Sequence, residues 1–122
     1  MKLIIAGSRS IDNIKHLYNA ILTLGLEDYV RNEVTEIVSG GARGADYLGE
    51  VLANKLKIQL TTKPADWDKY GKSAGYRRNE EMSQYADACL VLYDGISKGS
   101  QHMIDLAKEA NLKLWVYYVY VG

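Results

Sequence analysis

The chain has 122 residues, and its 15 Lys and Arg are balanced by 15 Asp and Glu, so the formal net charge is +0. This length predicts a single domain over residues 1–122, which can bury a core without a metal or disulfide staple. The balanced charge argues against a protein whose main task is to coat nucleic acid, because such domains carry a clear basic excess.

The amino-terminal apolar run is too short for a signal peptide or a membrane span, so we expect a cytoplasmic protein with no membrane partner. The chain's one cysteine, Cys89, lies in an apolar run and is expected to be a buried hydrophobe. The sequence has no Cys/His cluster with the spacing of zinc ligands. It therefore predicts neither a metal site nor another bound cofactor.

Apolar runs typical of buried strands alternate with segments of helical periodicity along the chain. The predicted elements are a strand at 3–6, a helix from Asp12 that stops at Gly25, a strand at 36–38, a helix through 48–56, a strand at 58–62, an irregular segment at 64–75, a helix at 75–85, a strand at 88–93, a helix at 100–110 and a strand at 114–121. Alternating strands and helices imply parallel pairing with right-handed crossovers.

This pattern predicts an α/β fold: a three-layer, Rossmann-like open sheet of about five mainly parallel strands, with helices on both faces. The strands that start near Leu3, Ile37 and Ala88 are expected at its centre, because continuous apolar character fits strands covered on both faces. The aromatic run at 114–121 predicts either a contact with another copy of the chain or a final strand covered by its own helices.

Glycines, arginines and small polar residues collect in the loops that follow the predicted strands. In such sheets ligands bind at the carboxyl ends of the strands, where these loops converge. Glycine lets backbone N–H groups approach an anion, helix N-termini favour negative charge, and arginine adds bidentate hydrogen bonds to phosphate. The predicted ligand-binding residues are Gly7, Ser8, Arg9, Ser39, Gly40, Gly41, Arg43, Gly44, Asp46, Trp67, Lys72, Arg78, Asn79, Asp94, Gly95, Ser97, Gly99 and Ser100.

Several of these residues also have a structural interpretation. Arg43 could form a salt bridge to Asp46 or to Glu50 rather than hold phosphate, and Asp46 could cap its helix rather than bind a ribose hydroxyl. Trp67 could stack on a nucleobase or fold down over the core. Asp94, at the end of a strand, is the predicted carboxylate for acid–base chemistry if the site is catalytic.

Two common phosphate motifs do not fit. The glycines at 40–44 lack the G-x-G-x-x-G spacing of a dinucleotide site. Gly71-Lys72-Ser73 resembles the end of a Walker A loop, but Asp66 stands where that loop needs its first glycine. The sequence therefore excludes a P-loop NTPase.

Five segments occur in an order that resembles the YspA-like branch of the SLOG superfamily, which is named after the DNA-uptake protein DprA/Smf and the "lonely guy" enzymes. They are Gly7-Ser8-Arg9-Ser10, the run 38–46 containing Gly40-Gly41-Ala42-Arg43-Gly44, Ala65-Asp66-Trp67, the run 71–82 containing Arg78-Asn79, and Asp94-Gly95-x-Ser97-x-Gly99. The resemblance covers nearly the whole chain. It implies a Rossmann-like fold, frequent oligomerisation and a nucleotide-type ligand over the glycine-rich loops.

Three functions remain open. The leading hypothesis is a module that binds or senses a phosphorylated nucleotide or a nucleotide-derived small molecule. The second is a phosphoribohydrolase-like enzyme that cleaves the N-glycosidic bond of a nucleoside phosphate; Met103 stands where those enzymes have a glutamate, so Asp94 would have to replace it. The third, single-stranded DNA binding by analogy with DprA, is disfavoured by the neutral charge.

Overall fold

The computed structural model describes residues 1–120 and contains a five-stranded, all-parallel sheet with helices on both faces. The strands are β1 (Lys2–Gly7), β2 (Glu36–Ser39), β3 (Gln59–Thr62), β4 (Ala88–Tyr93) and β5 (Lys113–Tyr118). Their order across the sheet is β3-β2-β1-β4-β5. The predicted α/β fold is confirmed, and the three strands expected at the centre lie there.

Two of the three central strands, β1 and β4, are buried on both faces. Every residue of β4 is buried, as is β1 from Leu3 to Ala6. Leu3 pairs with Ile37 of β2 on one side and with Ala88 of β4 on the other. Strands without an exposed face need side chains that are apolar in both directions, which is the pattern of these segments.

The helices are α1 (Ile14–Thr23), α2 (Glu27–Asn32), α3 (Ala45–Leu56), α4 (Trp67–Tyr70), α5 (Ala74–Tyr85) and α6 (Lys98–Glu109), with a 3-10 turn at Gly71–Ser73. The sequence did not predict α2, and it predicted the segment holding α4 as irregular. Both helices are too short for the apolar repeat on which helix prediction depends. Within residues 1–120, no helix is both long and apolar enough to cross a bilayer.

Alternate residues of β1 contact opposite layers of the molecule. Leu3 and Ile5 join a core with side chains of α1 and α3, including Leu17 and Leu52. Ile4 and Ala6 join a second core with Met82 of α5 and Met103 of α6. This alternation follows from the period-two geometry of a strand and produces the three layers.

The last strand is partly covered by its own chain. The ring of Trp115 lies 5.2 Å from that of Tyr29, and Tyr117 packs on the same core. Tyr118 is 58% exposed, and β5 forms one edge of the sheet. The structure ends this strand at Tyr118, and Val121, the predicted end, lies outside the described residues.

Cys89 is fully buried in β4, as the apolar run around it predicts. Burial raises the pKa of its thiol, with a smaller contribution from the negative charge of Asp46. Since the thiolate is the nucleophilic form, this cysteine acts as a core hydrophobe.

Candidate functional site

A cavity of about 460 Å³ opens at the carboxyl ends of β1 and β4. The chain runs from β1 toward one edge of the sheet and from β4 toward the other, so this is the point where the strand order reverses. The volume falls within the range of about 300–1,000 Å³ typical of small-molecule sites. The predicted ligand-binding residues that line it are Gly7, Arg9, Asp46, Trp67, Lys72, Arg78, Asn79, Asp94, Ser97, Gly99 and Ser100.

Seven predicted residues lie around the cavity rather than in its wall. Ser8 and Ser39 are buried beneath it, and Gly95 is in the exposed turn after β4. Gly40, Gly41 and Arg43 line a neighbouring cavity. Gly44 precedes α3 as its N-cap residue.

Several residues of the cavity wall were not predicted from the sequence, and of these Tyr76 and Ser10 have aromatic or polar side chains. Tyr76 is an exposed aromatic residue in the otherwise polar first turns of α5, two positions before Arg78. An aromatic residue in a polar stretch close to Arg78 is the sequence feature that could have identified Tyr76 as a site residue. Ser10 directly follows Arg9, and its hydroxyl donates to Asp94 Oδ2 at 3.4 Å.

Two glycines allow the loops to approach each other closely. Gly44 has a φ of 80°, and a Cβ there would lie 2.5 Å from the backbone of Arg9. A Cβ on Gly40 would lie 2.6 Å from Asp46 Oδ2 and 2.7 Å from Arg78 Nη1. The loop after β2 can therefore pack against the site only where these positions lack a side chain.

A network of hydroxyl groups joins the loop after β1 to the start of α6. Ser8 Oγ accepts a hydrogen bond from the backbone N–H of Asp94 at 3.1 Å and shares another with Ser100 Oγ at 3.2 Å. Ser97 is the N-cap of α6, and its Oγ accepts from the N–H and the hydroxyl of Ser100. These bonds hold the N-terminus of α6, with its free N–H groups, beside the cavity.

Asp94 is bound within its own turn. Its Oδ1 accepts from the N–H groups of Ile96 and Ser97, each at 2.9 Å. Burial opposes ionisation, but these hydrogen bonds, with those from Ser8 and Ser10, hold the pKa of Asp94 below its ordinary value. The carboxylate is therefore an ionised acceptor, which fits it poorly for donating a proton.

Asp46 lies in the opposite kind of environment. It is 5% exposed, and its Oδ2 accepts from the backbone N–H of Ala42 at 3.3 Å, so it closes the loop before α3 rather than capping that helix. Burial raises the pKa of Asp46 to about 6, although the charge of Arg78 acts against this. The cavity thus contains a carboxyl group that titrates near neutral pH.

Arg78 is fixed by its neighbours. Its Nη1 donates to the carbonyl oxygen of Gly40, and its Nε donates to Asn79 Oδ1 at 3.0 Å. Burial lowers its pKa, the charge of Asp46 raises it, and the positive charge of Arg9 lowers it further. Asn79 itself is buried, and its amide donates to the carbonyl oxygen of Gly99 at 3.3 Å, which links α5 to α6.

Two aromatic rings border the cavity on its solvent side. Trp67 of α4 is 51% exposed and Tyr76 of α5 is 44% exposed. Tyr76 makes an edge contact with His102, with ring centroids 4.6 Å apart. The indole also packs near α5, since a Cβ on Gly75 would lie at an ordinary contact distance of 3.6 Å from Trp67 Cη2. Trp67 therefore lies over the cavity rather than in the core.

No protein-family model matches the chain. Among curated proteins, it is similar to the Gene 61 protein of Mycobacterium phage D29, with 38% identity over 82 residues. The similarity covers 62% of this chain and 66% of the phage protein, so the chain spans just under two thirds of the relative that it matches. The name of that protein states no activity.

Proposed function

We propose that the cavity binds a phosphorylated nucleotide or a nucleotide-derived small molecule, and that the protein works as a binding or sensing module. One observation carries the proposal: a single cavity at the reversal point combines cationic side chains, a helix N-terminus and two exposed aromatic rings. A phosphate and a planar base together match that combination. The resemblance to the YspA-like branch of the SLOG superfamily supports the same assignment.

The phosphate is assigned to the cationic residues and the helix N-terminus of the cavity. Arg9 follows β1, Lys72 lies in the 3-10 turn, and α6 begins at Lys98 with its N-terminal N–H groups beside Ser100. A helix N-terminus attracts an anion, and arginine and lysine side chains add charge-assisted hydrogen bonds. The acidic groups nearby are the buried Asp46 and the turn-bound Asp94.

The base is assigned to the two exposed aromatic rings of the cavity. Trp67 and Tyr76 offer exposed ring surfaces at the mouth of the cavity. Stacking of a base on an aromatic side chain contributes about 1–3 kcal/mol and tolerates any base. The ring surfaces therefore favour a nucleotide over inorganic phosphate without selecting one base.

A second candidate function is cleavage of an N-glycosidic bond. Asp46 favours it, because a buried carboxyl group with a pKa of about 6 is suited to proton transfer near neutral pH. Met103 lines the cavity at the position where the resemblance places a catalytic glutamate in hydrolases. In such an activity Asp46 would exchange the proton, and the ionised Asp94 would stabilise the positive charge that develops on the ribose.

The test is isothermal titration calorimetry of the whole protein with the four common nucleoside 5′-monophosphates. We expect at least one to bind, and Lys72→Ala to weaken its binding about tenfold, the size of a lost charge-assisted hydrogen bond. Lys108→Ala, in the last turn of α6, is the matched control and should leave binding unchanged. Equal losses in both variants, or no binding by these or any other phosphorylated nucleotides, would contradict the proposal. Chromatography of the same samples for free base tests the hydrolase alternative.

A further inference from the structure

A second cavity of about 290 Å³ adjoins the first. Its wall contains three arginines from three different segments: Arg9 after β1, Arg43 before α3, and Arg78 in α5. The backbone of residues 40–42 forms much of the remaining surface. Such a cavity offers three guanidinium groups beside the indole of Trp67, and guanidinium groups are suited to holding an anion.

Two of the three arginines, Arg9 and Arg78, lie close enough for their positive charges to repel each other. Arg78 is tied to Gly40 and Asn79, and after the effects of burial and of Asp46 the charge of Arg9 lowers its pKa further. Glu50, one expected ion-pair partner of Arg43, accepts a hydrogen bond from Ser39 Oγ at 2.8 Å. Like charges at close range repel, and an anion placed between them would relieve that repulsion.

The two cavities have a common wall. The residues that border both are Arg9, Ala42, Trp67 and Arg78, so the two cavities lie directly beside each other. Lys72 borders only the first cavity of the two, and Arg43 borders only the second. This division makes the two compartments separable by mutation.

We infer that the ligand carries two phosphoryl groups, one held beside α6 in the first cavity and one held by Arg9, Arg43 and Arg78 in the second. This inference rests on the proposed function and names its ligand class: a doubly phosphorylated nucleotide rather than a nucleoside monophosphate. Arg43 determines that preference, because it belongs to the second compartment.

Calorimetry at about 150 mM salt, where distant surface charges are largely screened, tests the inference. The probes are the four nucleoside 5′-monophosphates, the matching 5′-diphosphates and the matching 3′,5′-bisphosphates. One doubly phosphorylated form should bind wild-type protein at least tenfold more tightly than its monophosphate. Arg43→Ala should abolish that gain, so that the variant binds the doubly phosphorylated form no more tightly than the monophosphate. Arg31→Ala, an exposed arginine of α2, should retain the gain.

The outcomes separate the two proposals. If monophosphates bind but no doubly phosphorylated form binds more tightly, or if the gain survives Arg43→Ala, the two-compartment inference is overturned and the proposed function stands. If no nucleotide of any kind binds to the wild-type protein, both are overturned. A gain lost equally in Arg43→Ala and Arg31→Ala would reflect general charge and would also overturn the inference.

Discussion

Asp46 and Asp94 border the same cavity, but their surroundings move their pKa values in opposite directions. Asp46 is buried with one backbone hydrogen bond, whereas Asp94 is more exposed and accepts several. Burial without enough hydrogen bonds favours the neutral acid, and multiple N–H donors favour the ion. The two carboxylates are therefore suited to different roles: Asp46 to proton exchange and Asp94 to holding the turn after β4.

At the residue scale, Asp46→Asn is expected to stabilise the protein at neutral pH. The pKa of Asp46 rises from 3.8 to about 6 on folding, so the folded state binds the proton more tightly. The free energy of unfolding of the wild type therefore falls as pH rises from about 4 to about 6. The asparagine variant does not titrate, and above pH 6 it should be more stable by an amount on the order of 1–3 kcal/mol.

Urea denaturation at about pH 4 and pH 7.5 measures this difference. The groups that face the Asp46 carboxyl are Arg78, Glu50 and Arg9, and each is present in both proteins. The stability gap between variant and wild type should shrink toward the lower pH. A gap that is the same at both values would show that folding does not raise the pKa of Asp46.

At the scale of the elements, the start of α6 depends on its N-cap. Ser97 accepts from the backbone N–H of Ser100 at 3.3 Å and thereby fixes the first turn of a helix that borders the cavity. Ser97→Ala removes this acceptor and should lower the free energy of unfolding by about 0.5–2 kcal/mol.

Thermal or urea unfolding of Ser97→Ala and Ser97→Thr provides the comparison. Threonine keeps a hydroxyl oxygen at the cap, so it should retain most of the stability. If both variants lose the same amount, the hydroxyl does not act as a cap, and the N-terminus of α6 is held by other contacts, such as Ser8 with Ser100 and Asn79 with Gly99.

At the scale of the whole molecule, the formal charge is zero, but four cationic side chains are clustered in one region. This cluster lies at the carboxyl ends of the strands, around two adjoining cavities, and consists of Arg9, Arg43, Lys72 and Arg78. Affinity for a nucleic acid grows with the number of phosphates that are neutralised at once, and a confined cluster contacts few. The arrangement therefore favours a small anionic ligand over a polymer.

We expect only weak binding to single-stranded DNA, and binding that decreases steeply as salt is added. Fluorescence anisotropy with a labelled oligothymidine at about 50 and 200 mM salt measures this. Submicromolar affinity at the higher salt concentration would instead favour the DNA-binding hypothesis. Arg43→Ala helps to locate any contact, since this arginine is exposed beside the second cavity.

The sequence by itself determined the architecture and the edge of the sheet that carries the candidate site. The continuous apolar runs of β1 and β4 are typical of strands covered on both faces, and loops that follow parallel strands must converge at one edge. Eleven of the predicted residues consequently line one cavity. Local pattern and chain connectivity suffice for this much.

Only the tertiary structure determined which cavity each residue lines and how its surroundings change its pKa. It placed Arg43 and Lys72 in the walls of different cavities and Tyr76 in the wall of the first. It also gave Asp46, rather than Asp94, a pKa that is raised to about 6. These properties depend on burial and on distances between side chains remote in sequence. A pKa follows the solvent and charge around a group in three dimensions, and no local pattern of residues contains that information.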